Sequence, residues 1–280
     1  MSHTLGPNRY GKSGVHLVVV DRDAPQHAVT DLRVDIRLEG DFDAAHTAGD
    51  NRQVIPTDTM RGTVFAFAGA GPVGPPEDFG MRLARHFVAT VPAVHAATVG
   101  LRATRWARIG GDHPTGFVAD GTASRTAEVT VDGDGARVGA GLADVKVLKT
   151  ADSAFAGFFA DRYTTLADTE DRLLATRMTA GWRYRDTDVE WTTTAGQVED
   201  VLLQTFAAHD SASLQHTLYA MGSAVLDRCP QITGIHLLLP NVHHLVVDLS
   251  PYGLHNDQRV FVATDEPYGV IEATVERGAA

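Results

Sequence analysis

Two stretches of the sequence share one organisation: MRLARHF at 81–87 is followed by VP at 91–92 and ATVGL at 97–101, and MGSAVL at 221–226 is followed by CP at 229–230 and IHLLL at 235–239. In both, a helical segment stops at a proline, which cannot continue a helix, and a β-rich run follows. Pro92 and Pro230 lie 138 residues apart, close to half of the 280 residues. We therefore predict a tandem duplication, with a first unit at 1–138 and a second unit at 139–280. The alternative is a chance recurrence of a common junction.

The first half reads as two strands, two helices and two strands. The predicted elements are strands at 15–20, 32–38, about 96–108 and 116–131, and helices at 57–67 and from 77 onward. The second strand alternates apolar and charged residues, which is the period of a half-buried strand. Thr57 suits the N-cap of its helix. Phe79, Leu83 and Phe87 recur at helical spacing and predict a core-facing stripe.

The second half repeats this order. The predicted elements are strands at 140–149, 174–192, 234–239, 243–249, 258–263 and 269–276, and helices at 197–208 and after Ser213. The last helix has an apolar stripe at Leu214, Leu218, Met221 and Val225. The pattern predicts an α+β fold in which each half has an antiparallel four-stranded sheet with two helices on one face. Uncovered sheet edges then favour oligomerisation.

Composition limits the classes of partner. Asp and Glu total 35 against 24 Lys and Arg, a net charge of −11, which argues against nucleic acid as a partner. A small anionic substrate remains compatible, because a local arginine outweighs distant, screened charges. Cys229 is the one cysteine, so the sequence permits neither an intrachain disulfide nor a cysteine-based zinc site.

The sequence also carries expectations about location. No apolar run approaches the roughly 18–20 residues of a membrane helix, so no membrane partner is predicted. The C-terminal residues 276–280 do not form a Ser-Lys-Leu peroxisomal signal. We therefore expect a cytoplasmic protein, and the high Ala, Gly and Val content favours a bacterial one.

Candidate chemistry in the first half lies at Lys12 and Thr57. Lys12 stands just before an apolar strand, where a solvated lysine is the ordinary interpretation; a role as base requires the amine to be partly buried. Thr57 stands at a helix N-terminus, where backbone N–H groups favour negative charge. A lysine contacting that hydroxyl could relay a proton from an acidic heterocycle, and the Thr57 N–H and Asp58 could bind the ring edge.

Candidate chemistry in the second half includes LPNVHH at 239–244. His243 and His244 are neighbours on a predicted strand, so their side chains point to opposite faces and are poorly placed to bind one metal ion. One histidine is expected to face a site, although packing is the more ordinary role. Asn241 marks a strand entrance where polar groups can converge.

Arg172 suits a bidentate clamp on a planar anion, because a guanidinium offers a fork of donors. An exposed ion pair is the alternative. Gln215, at a helix start, could complete the clamp through its amide. Phe155 could stack on a flat ring, or it could belong to the core.

Longer motifs carry a resemblance to a known family. VLKT at 147–150, Phe155, YTTL at 163–166 and DR at 171–172 form one, and VVDLSPYGL at 246–254 leading to VFVATD at 260–265 forms another. Together with YGK at 10–12 they resemble the urate oxidase (uricase) family over nearly the whole chain. The resemblance implies a homotetramer of tandem tunnelling-fold (T-fold) units with active sites between subunits. It also implies oxidation of urate by molecular oxygen and water, without cofactor or metal, to 5-hydroxyisourate and hydrogen peroxide.

The resemblance further implies roles for individual residues. Lys12 and Thr57 match the proton-relay dyad, and His243 matches a third catalytic group. The residues matched to substrate binding are Thr57, Asp58, Phe155, Arg172, Leu214, Gln215 and Asn241. Of these, Arg172 and Gln215 would hold urate in its plane, and Asn241 would face the position of oxygen or water.

The chain departs from the family pattern at Val242, Arg61 and Gly62, where lysine, lysine and asparagine are frequent, and at Ala151, where a small hydroxyl residue is usual. None of these removes a matched catalytic group, so the departures bear on rate or stability.

Two other functions stay open on the residues alone. One is a metal-dependent T-fold enzyme acting on pterins or purines, although the thirteen histidines form no ligand motif. The other is a non-catalytic assembly protein.

Overall fold

The computed structural model describes residues 3–278. It divides into two compact units, residues 3–141 with 183–193 and residues 142–182 with 194–278. Ala279 and Ala280, which belong to the C-terminal segment used for the peroxisomal prediction, lie outside the described residues.

The first unit is an antiparallel sheet with helices packed on one face. Its elements are β1 (Tyr10–Asp21), β2 (Ala28–Gly40), α1 (Asp43–Thr47), α2 (Thr57–Gly69), α3 (Pro76–Thr90), β3 (Val94–Arg108), β4 (Phe117–Asp132) and the start of β5 (Gly135–Lys149). Strands β1 to β4 pair in chain order. The alternation predicted for β2 is present: Leu32, Val34 and Ile36 are buried beneath the helices, while Arg33 and Asp35 are exposed.

The second unit repeats the arrangement. Its elements are parts of β5 and β6 (Leu174–Tyr184), most of α4 (Trp191–Ala208), α5 (Leu214–Arg228), β7 (Ile232–Val246), a 3-10 turn (Ser250–Tyr252) and β8 (Phe261–Glu276). Helix α5 packs on β7 and β8. Its predicted apolar stripe, from Leu214 to Val225, is buried. Ser213 caps the helix by accepting a hydrogen bond from the His216 N–H at 3.1 Å.

One predicted boundary is wrong. The strand predicted at 174–192 ends at Tyr184, and the helix predicted at 197–208 already begins at Trp191. The Trp191 indole donates to Asp78 Oδ1 at 2.7 Å, and its ring packs edge-on against Tyr184 at 4.9 Å. These contacts join residues far apart in sequence, so local β-propensity at 191–194 does not decide the conformation.

The four strands predicted between 234 and 276 are also corrected, because they form two long strands. Residues 234–239 and 243–249 fall largely in β7, and 269–276 falls in β8, which begins at Phe261. The pairing shifts register once: Asn241 lies opposite Gly269, whereas His243 lies opposite Thr264. This irregularity interrupts the alternation of side chains, which is why the sequence pattern indicated breaks there.

A glycine brings a helix close to the sheet in each unit. A Cβ atom added at Gly80 of α3 would lie 2.7 Å from Leu101 Cδ1 and 3.0 Å from Val129 Cγ2. A Cβ atom added at Gly222 of α5 would lie 2.5 Å from Val275 Cγ2 and 2.9 Å from its Cβ. Because packed interiors leave no space for another methyl group, glycine sets the helix-to-sheet distance at both positions.

We predict that Gly222→Ala lowers the free energy of unfolding by about 1–3 kcal/mol, because the new methyl group meets the stiff β-branched Val275. Gly80→Ala should cost less, since the end of the Leu101 side chain can move. Gly196→Ala is the control: this exposed helical glycine has no atom within 4 Å of an added Cβ. It should be neutral or stabilise by up to about 1 kcal/mol. Urea unfolding at one protein concentration checks the order, and equal stability of Gly222→Ala and Gly196→Ala would contradict it.

Candidate active site

A cavity of about 450 Å³ lies within the second unit. Its walls come from the segment before β6, the start of α5, and strands β7 and β8. Six residues singled out from the sequence line it: Phe155, Arg172, Leu214, Gln215, Asn241 and His243. The fold therefore brings together side chains that are up to 88 positions apart in the chain.

The segment carrying Phe155 and Arg172 is held by backbone pairing. The Phe155 N–H donates to the Thr169 carbonyl at 2.7 Å, and the Thr169 N–H donates back at 3.0 Å. This bridge places the Arg172 guanidinium carbon 5.2 Å from the centroid of the Phe155 ring. A cation and an aromatic face are thus presented to the same cavity.

Arg172 brings a guanidinium group to this cavity. Its Nε atom is buried and has no hydrogen-bond partner among residues 3–278. Burial lowers the pKa of the Arg172 guanidinium from its usual value, but an arginine starts so far above neutrality that it stays charged. A buried donor without a partner is costly, so a bound anion would be stabilised here.

The start of α5 presents Leu214 and Gln215. Leu214 is buried, while Gln215 is exposed in the first helical turn, where backbone N–H groups favour negative charge. The helix start is tied to the Phe155 segment, because the Ala154 N–H donates to the Ser211 carbonyl at 2.7 Å. The predicted clamp of Arg172 and Gln215 is therefore built from two mutually anchored segments.

The register shift in β7 presents Asn241 and His243. Just before it, the Thr176 hydroxyl donates to the Pro240 carbonyl at 2.8 Å, which fixes the strand. Both Asn241 and His243 are half-buried and line the cavity. Because they lie two residues apart on one strand, their side chains point to the same face of the sheet.

The remaining predicted residues, Lys12, Thr57 and Asp58, lie in the first unit and do not line this cavity. Strand β1 and helix α2, which carry Lys12 and Thr57, pack on each other. The Tyr10 hydroxyl joins them: it accepts from the Ile55 N–H at 2.9 Å and donates to the Ile55 carbonyl at 3.1 Å. Tyr10 precedes Lys12 by two residues, as Ile55 precedes Thr57. The sequence pattern predicts no role for Tyr10, and its spacing from Lys12 is the local signal that could have indicated one.

The backbone at Lys12 is held in an irregular conformation. The β1–β2 pairing shifts between Lys12 and Val15, and the Gly14 N–H donates to Asp35 Oδ1 at 2.7 Å. Arg37 donates to the Lys12 carbonyl at 3.4 Å. Lys12 is half-buried as a residue, and its amine has no ion-pair or hydrogen-bond partner within the described residues.

Thr57 is not the N-cap, which corrects the sequence prediction. Pro56 occupies the N-cap position, and Thr57 is the first helical residue. No side-chain capping bond is present, so the Thr57 hydroxyl is not engaged in capping.

Asp58 pairs with Arg61 at 2.8 Å, and both side chains are largely exposed, so this pair contributes little stability. Arg61 is one of the departures noted above.

Burial of Tyr10 raises the pKa of its hydroxyl, although the hydrogen bond with Ile55 opposes this. Its ring packs edge-on against the buried Phe42 at 4.7 Å. The hydroxyl therefore stays protonated near neutral pH, as its donation to the Ile55 carbonyl requires.

The described residues also limit metal and membrane sites. Within residues 3–278, no group of three or more His, Cys, Asp or Glu side chains is placed to hold a metal ion. Over the same range, no helix has both the length and the apolar character needed to cross a membrane.

Comparisons with known proteins cover both units. A family model described as Uricase matches residues 8–130 and 138–272. The chain is 44% identical to a uricase of Arthrobacter globiformis over 98% of its own length and 90% of that protein. It is 35% identical to a uricase of Aspergillus flavus, with 97% and 96% covered. A crystal structure of uricase from Arthrobacter globiformis matches with a TM-score of 0.96 at 42% identity, covering 100% of this chain and 97% of that chain.

We predict that Tyr10→Phe lowers the free energy of unfolding by about 1–3 kcal/mol, because it leaves the N–H and carbonyl of Ile55 without their partner while keeping the ring. The control is Tyr219→Phe, since the Tyr219 side chain is 65% exposed and its hydroxyl makes no hydrogen bond to a described residue. Thermal unfolding of the two variants measures the difference. Equal midpoints would show that the Tyr10–Ile55 bonds do not hold β1 to α2.

Proposed function

Because this chain belongs to the uricase family, its reaction is the oxidation of urate, and we propose that urate binds in the cavity of the second unit. The family resemblance and the α+β fold of two tandem T-fold units, both predicted from the sequence, are confirmed by the matches. So is the enzyme class, urate oxidase. Neither of the two alternative functions is favoured by any contact in the structure.

The proposed reaction combines urate, molecular oxygen and water to give 5-hydroxyisourate and hydrogen peroxide. Urate loses two electrons and oxygen gains them, and water supplies the new hydroxyl group. Urate is easily oxidised once it is further deprotonated, so this proposal includes no cofactor. The protein then has to orient the ring, remove a proton and pre-organise oxygen and water beside the ring.

The buried Arg172 donor beside the Phe155 ring is the observation that carries the proposal. A planar anion stacked on Phe155 would offer its edge to the guanidinium, whose Nε lacks a partner among the described residues. Gln215 would add amide hydrogen bonds to the same edge, and Leu214 would supply an apolar contact. Charge-assisted and bidentate hydrogen bonds are the strong ones, so this clamp would fix the ring in its plane.

Asn241 and His243 would act on the other reactants. Asn241, at the register shift, offers an amide to oxygen or water above the ring. His243 offers an imidazole, the side chain that most often serves for proton transfer in catalysis. Both positions remain proposals supported by their place in the cavity lining.

Lys12 and Thr57 would form the proton relay, with Asp58 beside the substrate edge. The Lys12 amine would take the proton through the Thr57 hydroxyl, which is not engaged in capping. We propose that these residues reach the cavity of a neighbouring subunit in a homotetramer, so that the active sites lie between subunits. Membership of the uricase family supports this arrangement, because the family resemblance implies active sites between subunits.

We also propose a cytoplasmic location. The single cysteine, Cys229, is free and buried, and burial raises the pKa of its thiol. A chain without disulfides suits a reducing compartment.

Purified, metal-stripped protein should consume urate in air and release one hydrogen peroxide per urate. Against that rate, Lys12→Met and Thr57→Ala should lower kcat by about 10²–10⁴-fold while urate binding changes little, because a proton-transfer group is lost. Loss of near-ultraviolet absorbance measures urate consumption and kcat, a peroxide assay measures the peroxide released per urate, and anaerobic binding measures the affinity for urate. Near-normal kcat in either variant would exclude the relay, whereas an inactive wild type with intact fold would reject the reaction itself.

Arg172→Ala should weaken anaerobic urate binding by about tenfold or more, because a charge-assisted hydrogen bond contributes roughly 1.5–3 kcal/mol. Arg172→Lys keeps the charge but loses the planar fork, so it should recover only part of the affinity. Equilibrium dialysis of urate under nitrogen gives the dissociation constants. Unchanged affinity in Arg172→Ala would show that the guanidinium does not clamp urate.

A further inference from the structure

A second cavity of about 250 Å³ lies in the same unit as the proposed urate cavity. It is built on strands β5, β6 and β7, which are neighbours in the sheet. Two residues, Val242 and His244, line both cavities. The second cavity is therefore separated from the proposed urate cavity by side chains of β7.

The second cavity is cationic. Lys146 from β5 and Arg177 from β6 line it, and both side chains are exposed. Neither has an ion pair or a hydrogen bond to any residue in the described part of the chain. Among the described residues, no carboxylate lines this cavity. Two positive charges thus face the space without a protein anion to neutralise them.

The rest of the lining suits a flat organic molecule. Leu148 is 53% exposed at the cavity, and Val147, Ala175 and Val242 extend the apolar surface. An inorganic anion would use the charges but leave this surface in water. A planar anion of a few rings could use both, as small-molecule sites combine apolar walls with a few polar groups.

His244 has one ring nitrogen available to such an anion. Its Nδ1 donates to the Val242 carbonyl at 3.1 Å, because a carbonyl can only accept. With the proton on Nδ1, the Nε2 atom of the neutral ring is an acceptor, which suits an N–H group of a bound heterocyclic ring.

The charge of the whole chain makes a local site of this kind useful. The net charge is −11, so the mean field repels a urate anion. Fields from distant charges are screened beyond a Debye length of about 8 Å at physiological ionic strength, and nearby cations then decide the local potential. Lys146 and Arg177 supply such cations beside the proposed urate cavity.

We propose that the cavity lined by Lys146, Arg177 and His244 binds a second purine anion of the urate class, and that this site raises the capture of urate by the adjoining cavity. The inference rests on the proposed function, because it takes the neighbouring cavity as the site of urate oxidation.

Anaerobic equilibrium dialysis tests the site directly, because urate binds without turnover when oxygen is absent. The wild type should bind two urate molecules per chain, the second more weakly. Lys146→Gln/Arg177→Gln should bind one, whereas Lys146→Arg/Arg177→Lys, which keeps both charges, should bind two. One molecule per wild-type chain, or a second molecule that survives the charge-removing substitutions, would overturn the proposal.

Kinetics in air test the consequence for capture. At about 0.01 M ionic strength, where the Debye length is about 30 Å, kcat/KM for urate should fall roughly two- to tenfold in Lys146→Gln/Arg177→Gln. The difference should shrink at about 0.5 M salt. Arg22→Gln/Arg85→Gln removes the same charge from exposed positions elsewhere and is the matched control. Equal losses in both double variants would assign the effect to net charge and reject the site. Complete inactivity of the wild type toward urate would instead reject the proposed function.

Discussion

The geometry of the second unit depends on the close packing of helix α5 against strands β7 and β8 at Gly222. Val275 and Ile235 occupy the space that a side chain would need, so the helix lies directly on the sheet. Helix α5 starts with Leu214 and Gln215, and β7 carries Asn241 and His243. The helix-to-sheet distance therefore sets the separation of the clamp residues from the groups that would handle oxygen and protons.

The Arg172 guanidinium is the group that would bind an anion in the proposed site. A buried donor without a partner lowers the stability of the unliganded protein, since desolvation is not repaid. An anion that restores the missing hydrogen bond recovers that free energy, so binding and stability are linked. The bridge between Phe155 and Thr169 and the bond between Ala154 and Ser211 keep the guanidinium in place. Without them the same cation could turn toward water.

Charge is distributed in an uneven way that fits the proposed substrate. The chain as a whole is acidic, yet Lys146 and Arg177 have no ion-pair partner among the described residues, and the buried Nε of Arg172 has no hydrogen-bond partner there. Salt screening weakens the effect of distant carboxylates on a bound anion more than the effect of these nearby cations. The acidic surface and an anionic substrate are therefore compatible, as composition alone already allowed.

The sequence by itself determined the units of structure. Period-two alternation in β2 and the helical stripes in α3 and α5 indicate which face of each element is buried. The prolines that follow α3 and α5 indicate where these helices end. Both signals are local properties of the chain. Family resemblance indicated the candidate site residues. Tertiary structure alone decided three features: the early start of α4 at Trp191, the continuous β7 with its register shift, and the meeting of Arg172, Gln215 and Asn241 at one cavity. The hydrogen bond between Trp191 and Asp78, at the start of α4, joins residues 113 positions apart. The hydrogen bond between Tyr10 and Ile55 joins residues 45 positions apart. Such long-range hydrogen bonds and pairings leave no periodic signal in the residues that make them, so they can be known only from the folded chain.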